Sequence, residues 1–191
     1  MKTLHTENNM LIALAGLPGT GKSTIATELS QRLDGVVLSK DVIRAVLFPK
    51  EAVDFSQGQD DLCMKVLFLM AGCILRSGAR NVIIIDGRTF SKSYQVRDLL
   101  SRAAVLHAKP IIIECVCDDE IAKERIERDR RQGAHLAANR TSQLYHDLKA
   151  KAEPITTDHL VIDTGREPLD NCVERCVQYI RPHHNIVDIR K

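Results

Sequence analysis

Short apolar runs alternate with longer stretches of helical spacing along most of the chain. Met10 to Ala15 is a continuous apolar run closed by a glycine, which predicts a buried strand. Ser23 to Leu33 then places Ile25, Ala26, Leu29 and Leu33 on one side, the spacing of a helix. Val36 to Ser39 reads as a second strand. Gln59 to Arg76 reads as a long apolar helix, with Leu62, Val66, Leu69 and Cys73 recurring at helical intervals as its stripe. Val82 to Ile85 is a third strand and Ser91 to His107 a helix. Ile111 to Val116 is a fourth strand, followed by a charged helix from Asp119. Leu160 to Ile162 is a fifth strand, and Leu169 to Ile180 the last helix. Asn185 to Lys191 is expected to be a frayed or loosely docked tail.

The strands are β-rich and show no polar alternation, as expected of strands covered on both faces. Strand and helix alternate throughout, which predicts an α/β fold with a parallel sheet between two helical layers. No internal repeat or low-complexity linker interrupts the pattern. A length of 191 residues suits one domain over residues 1–191.

Charge and cysteine content narrow the class of protein. The formal net charge is +2, so bulk charge calls for neither nucleic acid nor an anionic membrane. Aromatic residues are scarce, with four Phe, three Tyr and no Trp. The opening segment MKTLHTENN is polar and carries Glu7, unlike a secretory leader. No apolar run approaches the roughly 20 residues of a membrane span. The six Cys form no CxxC pair and are expected to be reduced, core-facing thiols of a cytoplasmic protein. Cys115/Cys117 and Cys172/Cys176 lack the spacing of a zinc finger.

One stretch carries specific chemistry. Gly16-Leu17-Pro18-Gly19-Thr20-Gly21-Lys22-Ser23 fits G-x-x-x-x-G-K-[ST], with an apolar strand before it and a helix after it. Gly16, Gly19 and Gly21 let the backbone curl so that its N–H groups, including that of Thr20, point at phosphate oxygens. The helix beginning at Ser23 and Thr24 adds the positive end of its dipole. Lys22 can reach the β- and γ-phosphates, and the Ser23 hydroxyl can ligate Mg²⁺. A guanine reader of the Asn-Lys-x-Asp type is absent from the sequence, and Ser39-Lys40-Asp41-Val42 only echoes it. ATP is therefore the expected nucleotide.

Ligands of open parallel sheets sit at the carboxyl ends of the strands. After the second strand, Asp41 and Arg44 lie three apart and share a face of a helical turn. A carboxylate there can take the proton of an attacking hydroxyl, and an arginine beside it can hold an acceptor. The same Asp also suits a helix N-cap. After the third strand, Asp86 ends an apolar run in the Walker-B manner, near Mg²⁺. Arg88 follows in a polar turn, and Ser91 suits the cap of the next helix. In the charged segment Arg125, Arg128 and Arg131 recur every three residues. They read either as a salt-bridged surface with Glu124–Arg128 and Glu127–Arg131 pairs, or as a lid over roughly residues 125–142 hinged at Gly133. In the lid reading Arg128 reaches the phosphoryl group first and Arg131 second.

Together these pieces resemble the small P-loop kinases of the zeta-toxin-like or polynucleotide-kinase-like group, which includes chloramphenicol phosphotransferase, gluconate kinase and adenylylsulfate kinase. The resemblance runs from Leu11 to Ile180. It implies a P-loop NTPase three-layer sandwich with a five-stranded parallel sheet in the order 2-3-1-4-5 and a small helical lid. Its D-x-x-R element falls on Asp41 and Arg44, its Asp after the third strand on Asp86, and its lid arginine on Arg128. The second lid arginine departs from the pattern, because Gln132 precedes Gly133 and Arg131 lies one residue earlier. The resemblance implies an ATP- and Mg²⁺-dependent kinase acting on the hydroxyl of a small molecule. Lys22, Asp41 and Arg128 would then be catalytic, with Arg44, Asp86 and Arg88 around the acceptor. A polynucleotide 5′-hydroxyl kinase and a regulatory ATPase without an acceptor are the alternatives. The near-neutral charge argues against nucleic acid, and the Asp41/Arg44 pair argues against the acceptor-free switch. No pattern in the chain specifies an oligomer.

Overall fold

A computed structural model describes residues 8–132, 139 and 141–183. The elements run β1 (Met10–Ala15), α1 (Lys22–Leu33), β2 (Val36–Ser39), α2 (Lys40–Leu47), α3 (Gln57–Ser77) and β3 (Val82–Asp86). They continue with α4 (Ser93–Val105), β4 (Lys109–Val116), α5 (Asp119–Gln132), α6 (Ser142–Ala150), β5 (Leu160–Asp163) and α7 (Leu169–Ile180). Five parallel strands form one sheet in the order β2-β3-β1-β4-β5. This is the expected α/β three-layer sandwich with its order 2-3-1-4-5.

Strand alternation divides the core into two layers. Met10, Ile12 and Leu14 of β1, with Val82 and Ile84 of β3, pack against Ile25 and Leu29 of α1 and Val173 and Cys176 of α7. Leu11 and Ala13, with Ile83 and Ile85, face Leu67 and Phe68 of α3 and Leu99 of α4. The period of two sends neighbouring side chains to opposite faces, and helices cover both. β1 and β3 are therefore buried at every position.

Three expectations are corrected here. In α3 the buried face is Cys63, Met64, Leu67, Phe68, Ala71 and Leu75, whereas Leu62, Leu69 and Cys73 are exposed and Val66 is half-buried. The helix carries two apolar stripes, and the sheet takes the one that the spacing argument passed over. The single helical turn expected at Asp41 is an eight-residue helix, α2. The segment between α5 and β5, for which the apolar spacing predicts no separate helix, contains α6, capped by the Thr141 side chain, which accepts from the Leu144 N–H at 3.1 Å.

Two more details differ from expectation. Ser91 does not cap α4: its hydroxyl pairs with that of Thr89 at 2.8 Å. Glu153, sixty residues away, supplies the cap by accepting from the Ser93 N–H at 2.8 Å. That bond to the helix end pulls the Glu153 carboxyl from its ordinary value of 4.5 down to about 2. Among the cysteines, Cys63, Cys115, Cys172 and Cys176 are buried free thiols, but Cys73 is exposed and Cys117 half-buried. Burial raises Cys115 and Cys176 to about 12, so both stay protonated. Gly133, the expected hinge, and the tail from Asn185 lie outside the described residues.

Candidate active site

The phosphate loop joins β1 to α1. Gly16, Gly19 and Gly21 all have positive φ, at 125°, 79° and 81°. At the first two positions space also demands glycine. A Cβ on Gly16 would lie 2.2 Å from the Cys115 carbonyl oxygen, and one on Gly19 would lie 2.4 Å from that of Ala122. Gly21 is the N-cap of α1, so the helix presents its free N–H groups to the loop. Lys22 is buried and its Nζ donates to the Gly16 and Leu17 carbonyls at 2.8 and 2.7 Å, which holds the ammonium at the loop. Thr20 is buried in the loop wall, with its hydroxyl donating to the Leu17 carbonyl at 2.8 Å. Lys22, Ser23 and Thr24 open onto a cavity of about 890 Å³, a volume typical of ligand sites.

Asp86 at the end of β3 meets this loop. Ser23 Oγ donates to Asp86 Oδ2 at 2.8 Å, while Asp86 Oδ1 is buried without a hydrogen-bond partner. A buried carboxylate oxygen without a partner is costly, and a cation satisfies it. A hydroxyl and a carboxylate as two oxygen ligands, with waters and phosphates supplying the rest, is the donor set that Mg²⁺ takes. The residues present therefore fit Mg²⁺, and Ser23 and Asp86 are the ones that would hold it. Among the described residues no group of three His, Cys, Asp or Glu converges as a metal cage.

Beside this carboxylate, the register Ser39↔Asp86 brings the start of α2 next to the turn after β3. Asp41, Arg44 and Arg88 all line the cavity, as does Lys40. Arg44 is almost fully buried and is clamped from both sides. Its Nη1 donates to Asp41 Oδ1 at 2.7 Å, and its Nη2 donates to Asp60 Oδ1. Asp60 also receives Lys40 Nζ at 2.9 Å. The Arg44 guanidinium stands 5.1 Å from the Phe55 ring centroid. Phe55 itself has φ 53°, a left-handed conformation that strains a bulky residue. Arg88 Nη2 donates to Asp61 Oδ1 at 2.6 Å and to the Tyr94 hydroxyl at 3.3 Å.

The sequence pattern singled out Asp41, Arg44 and Arg88 but missed Lys40, Phe55, Asp60, Asp61 and Tyr94. Asp60 and Asp61 stand near the start of α3, and only the packing of that helix brings them to the arginines.

On the lid side, Arg125 is the anchored arginine. Its Nη1 donates to Thr164 Oγ1 at 3.0 Å and its Nη2 to the Thr164 carbonyl at 2.9 Å. Thr164 Oγ1 in turn donates to the Thr20 carbonyl at 3.0 Å, so α5, the loop after β5 and the phosphate loop are tied together. Arg128 lines the cavity with a largely exposed side chain, 3.8 Å from Asp129. Arg131 lies outside the cavity lining, and its Nε donates to the Glu127 carbonyl at 3.3 Å on its own helix. The expected Glu124–Arg128 and Glu127–Arg131 pairs are replaced by Arg128–Asp129 and Arg130–Glu127. Helices α5 and α6 are tied together by Asp119, which accepts from Tyr145 at 2.8 Å and pairs with Lys149 at 2.6 Å. Burial and the Asp119 bond push the Tyr145 phenol well above its ordinary range.

A strand-to-loop-to-helix phosphate cradle, a carboxylate at the end of β3 and a charged cage after β2 define a P-loop kinase-like ATP-binding fold. The family model that matches the chain is described as an AAA domain and spans residues 11–155, so the chain belongs to that family. The solved structures it resembles include a candidate kinase from Chloroflexus aurantiacus, with 24% identity and a TM-score of 0.71 over 92% of this chain and 98% of that one. APS kinase from Mycobacterium tuberculosis matches at 13% identity and TM-score 0.68, over 91% and 98% of the two chains. A gluconokinase from Sinorhizobium meliloti matches at 12% identity and TM-score 0.64, over 92% and 93%. No curated protein matches the chain. At these identities the likeness is one of fold, and function has to be argued from the site.

Proposed function

We propose that the protein is an ATP- and Mg²⁺-dependent kinase that transfers the γ-phosphoryl group to a hydroxyl of a small molecule. One observation carries this reading. A single cavity is lined both by Lys22 and Ser23 at the phosphate loop and by Asp41, held by Arg44. A nucleotide switch has no use for a carboxylate clamped in that position, whereas a hydroxyl acceptor needs one.

ATP lies with its phosphates in the loop, where backbone N–H groups and Lys22 bind the β- and γ-phosphates. Ser23 and Asp86 would hold Mg²⁺, which would supply charge that neutralises the phosphates. Asp41 receives the acceptor hydroxyl and orients its oxygen toward the γ-phosphorus. As that oxygen bonds to phosphorus, the bond to the β–γ bridging oxygen breaks, ADP leaves, and the hydroxyl proton passes to Asp41. Arg128 lies free enough to approach the transferring group, while Arg125 keeps the lid base registered on the loop. Positioning and electrostatics supply the catalysis. Arg44 is assigned to holding Asp41, and Arg88 to the acceptor wall.

The reading extends to the whole chain as one kinase domain with a lid over roughly residues 125–142. Free thiols are usual in the reducing cytoplasm, which supports a cytoplasmic location. Among the described residues no helix is long and apolar enough to cross a membrane.

The deciding experiment uses Asp41→Asn, which keeps the shape and removes the proton acceptor. Acceptor-stimulated ADP production is expected to drop by roughly 10²–10⁴-fold, with ATP affinity unchanged. Equal stimulated rates in wild type and variant would remove Asp41 from the mechanism.

A further inference from the structure

The cage after β2 contains three cations, Lys40, Arg44 and Arg88, each at most 8% exposed. Each is engaged by a carboxylate. Lys40 pairs with Asp60, Arg44 with both Asp41 and Asp60, and Arg88 with Asp61. Three positive charges thus meet three negative ones.

The order of depth is the informative feature. The side chains of Lys40, Arg44 and Arg88 are 10%, 4% and 4% exposed, whereas those of Asp41, Asp60 and Asp61 are 14%, 31% and 35% exposed. In every pair the carboxylate is the more exposed partner, although Asp61, unlike Arg88, does not line the cavity. Asp41 and Asp60 also line the cavity itself.

An acceptor entering this cavity therefore finds the oxygens of Asp41 and Asp60 more accessible than the Lys40 and Arg44 nitrogens they pair with. Ionised carboxylates only accept hydrogen bonds, so they require donors from the ligand. Hydroxyl groups supply donors. A carboxylate or phosphate on the acceptor supplies none and repels Asp41 and Asp60 at close range. It would also have to displace a carboxylate already paired with a buried cation, leaving a charge uncompensated. Discrimination by such a repulsive element is a common route to specificity.

Building on the kinase reading above, we infer that the acceptor is a hydroxyl-rich small molecule carrying no negative charge. Its hydroxyls donate to Asp41 and Asp60, and one of them, at Asp41, is the nucleophile. The paired cations hold the carboxylates aimed; they are not a binding site for an anion.

The test compares acceptors matched in carbon skeleton: a hexose and a hexitol against the corresponding hexonate, hexuronate and hexose 6-phosphate. Initial rates of ADP release with Mg·ATP give kcat/KM for each. An uncharged acceptor is expected to exceed its anionic counterparts by at least about tenfold, the effect of roughly one modest unfavourable charge contact. A hexonate, hexuronate or sugar phosphate as the best acceptor overturns the inference and leaves the kinase reading intact. Failure of every acceptor to stimulate ADP release, with Mg·ATP still bound, overturns the kinase reading and the inference with it.

Asp61→Asn gives a second readout. It uncovers the charge of Arg88 while keeping the shape of its partner. The ratio of anionic to uncharged kcat/KM is expected to rise several-fold over wild type, and an unchanged ratio counts against the inference. The melting temperature of the variant separates a specificity change from a folding defect, and the wild-type panel stands whether or not the variant folds.

Discussion

Arg44 shows what a single residue contributes here. Its guanidinium is a fork with one tine on Asp41 and the other on Asp60, and Phe55 covers its face. Bidentate geometry of this kind fixes direction as well as charge. Beyond accepting from the acceptor, Asp60 therefore acts on the reaction through Arg44, whose direction it fixes. Asp60→Asn is expected to lower kcat by about 10²-fold, the usual effect of a misplacement of about 1 Å, with KM for ATP unchanged. Steady-state kinetics separate the two parameters. A wild-type kcat in this variant would mean that Arg44 holds Asp41 unaided. Arg125 makes the complementary point on the lid side. With 3.6 residues per turn, positions three apart drift around a helix, so Arg125, Arg128 and Arg131 cannot all face one cavity. The structure ties Arg125 to the loop, leaves Arg128 at the rim and sends Arg131 outward.

Among the elements, α3 has two apolar sides and only one is in the core. Leu67 is fully buried, whereas Leu69, two residues on, is 69% exposed. Leu67→Ala should destabilise the fold by about 2–5 kcal/mol through lost burial and a residual cavity. Leu69→Ala should stay within about 0.5 kcal/mol of wild type. Urea unfolding of the two variants checks the assignment, and a reversed order would mean that the helix is rotated. The two ends of α3 carry local caps that the pattern of apolar positions left unread: Ser56 accepts from the Gln59 N–H at 3.2 Å, and Gly78 closes the helix at φ 68°. The cap at the start of α4 is not local: it is Glu153, brought there by the chain after α6.

For the molecule as a whole, the two helical layers share one sheet, and the phosphate loop is built from its central strand. Local binding should then stabilise everything. The protein is expected to melt in one transition. Mg·ATP at about 100 times its Kd should stabilise it by about 2.7 kcal/mol, which at this length raises Tm by about 5–10 °C. Lys22→Ala should abolish most of that shift while leaving the ligand-free Tm close to wild type. Calorimetry reads both quantities. Two separate transitions would divide the chain into independent units, and a full shift in Lys22→Ala would detach the loop from nucleotide binding.

Local pattern was enough for much of this. Continuous β-branched runs specify strands buried on both sides, and Gly16 to Ser23 specifies a phosphate loop, because the backbone curl and the helix end are encoded within eight residues. Asp41 and Asp86 were also visible, since both directly follow or end a strand whose carboxyl end must face the ligand. What the tertiary structure decided was every relation between distant segments: which stripe of α3 enters the core, which arginine of α5 meets the loop, and which carboxylates pair with Lys40, Arg44 and Arg88. A helix with two apolar faces is locally degenerate, and a charged residue's partner depends on the packing of another helix. The sequence thus determined a nucleotide cradle and the strands that carry it, while the arrangement of charge that selects an acceptor exists only once α2, α3 and the turn after β3 are packed together.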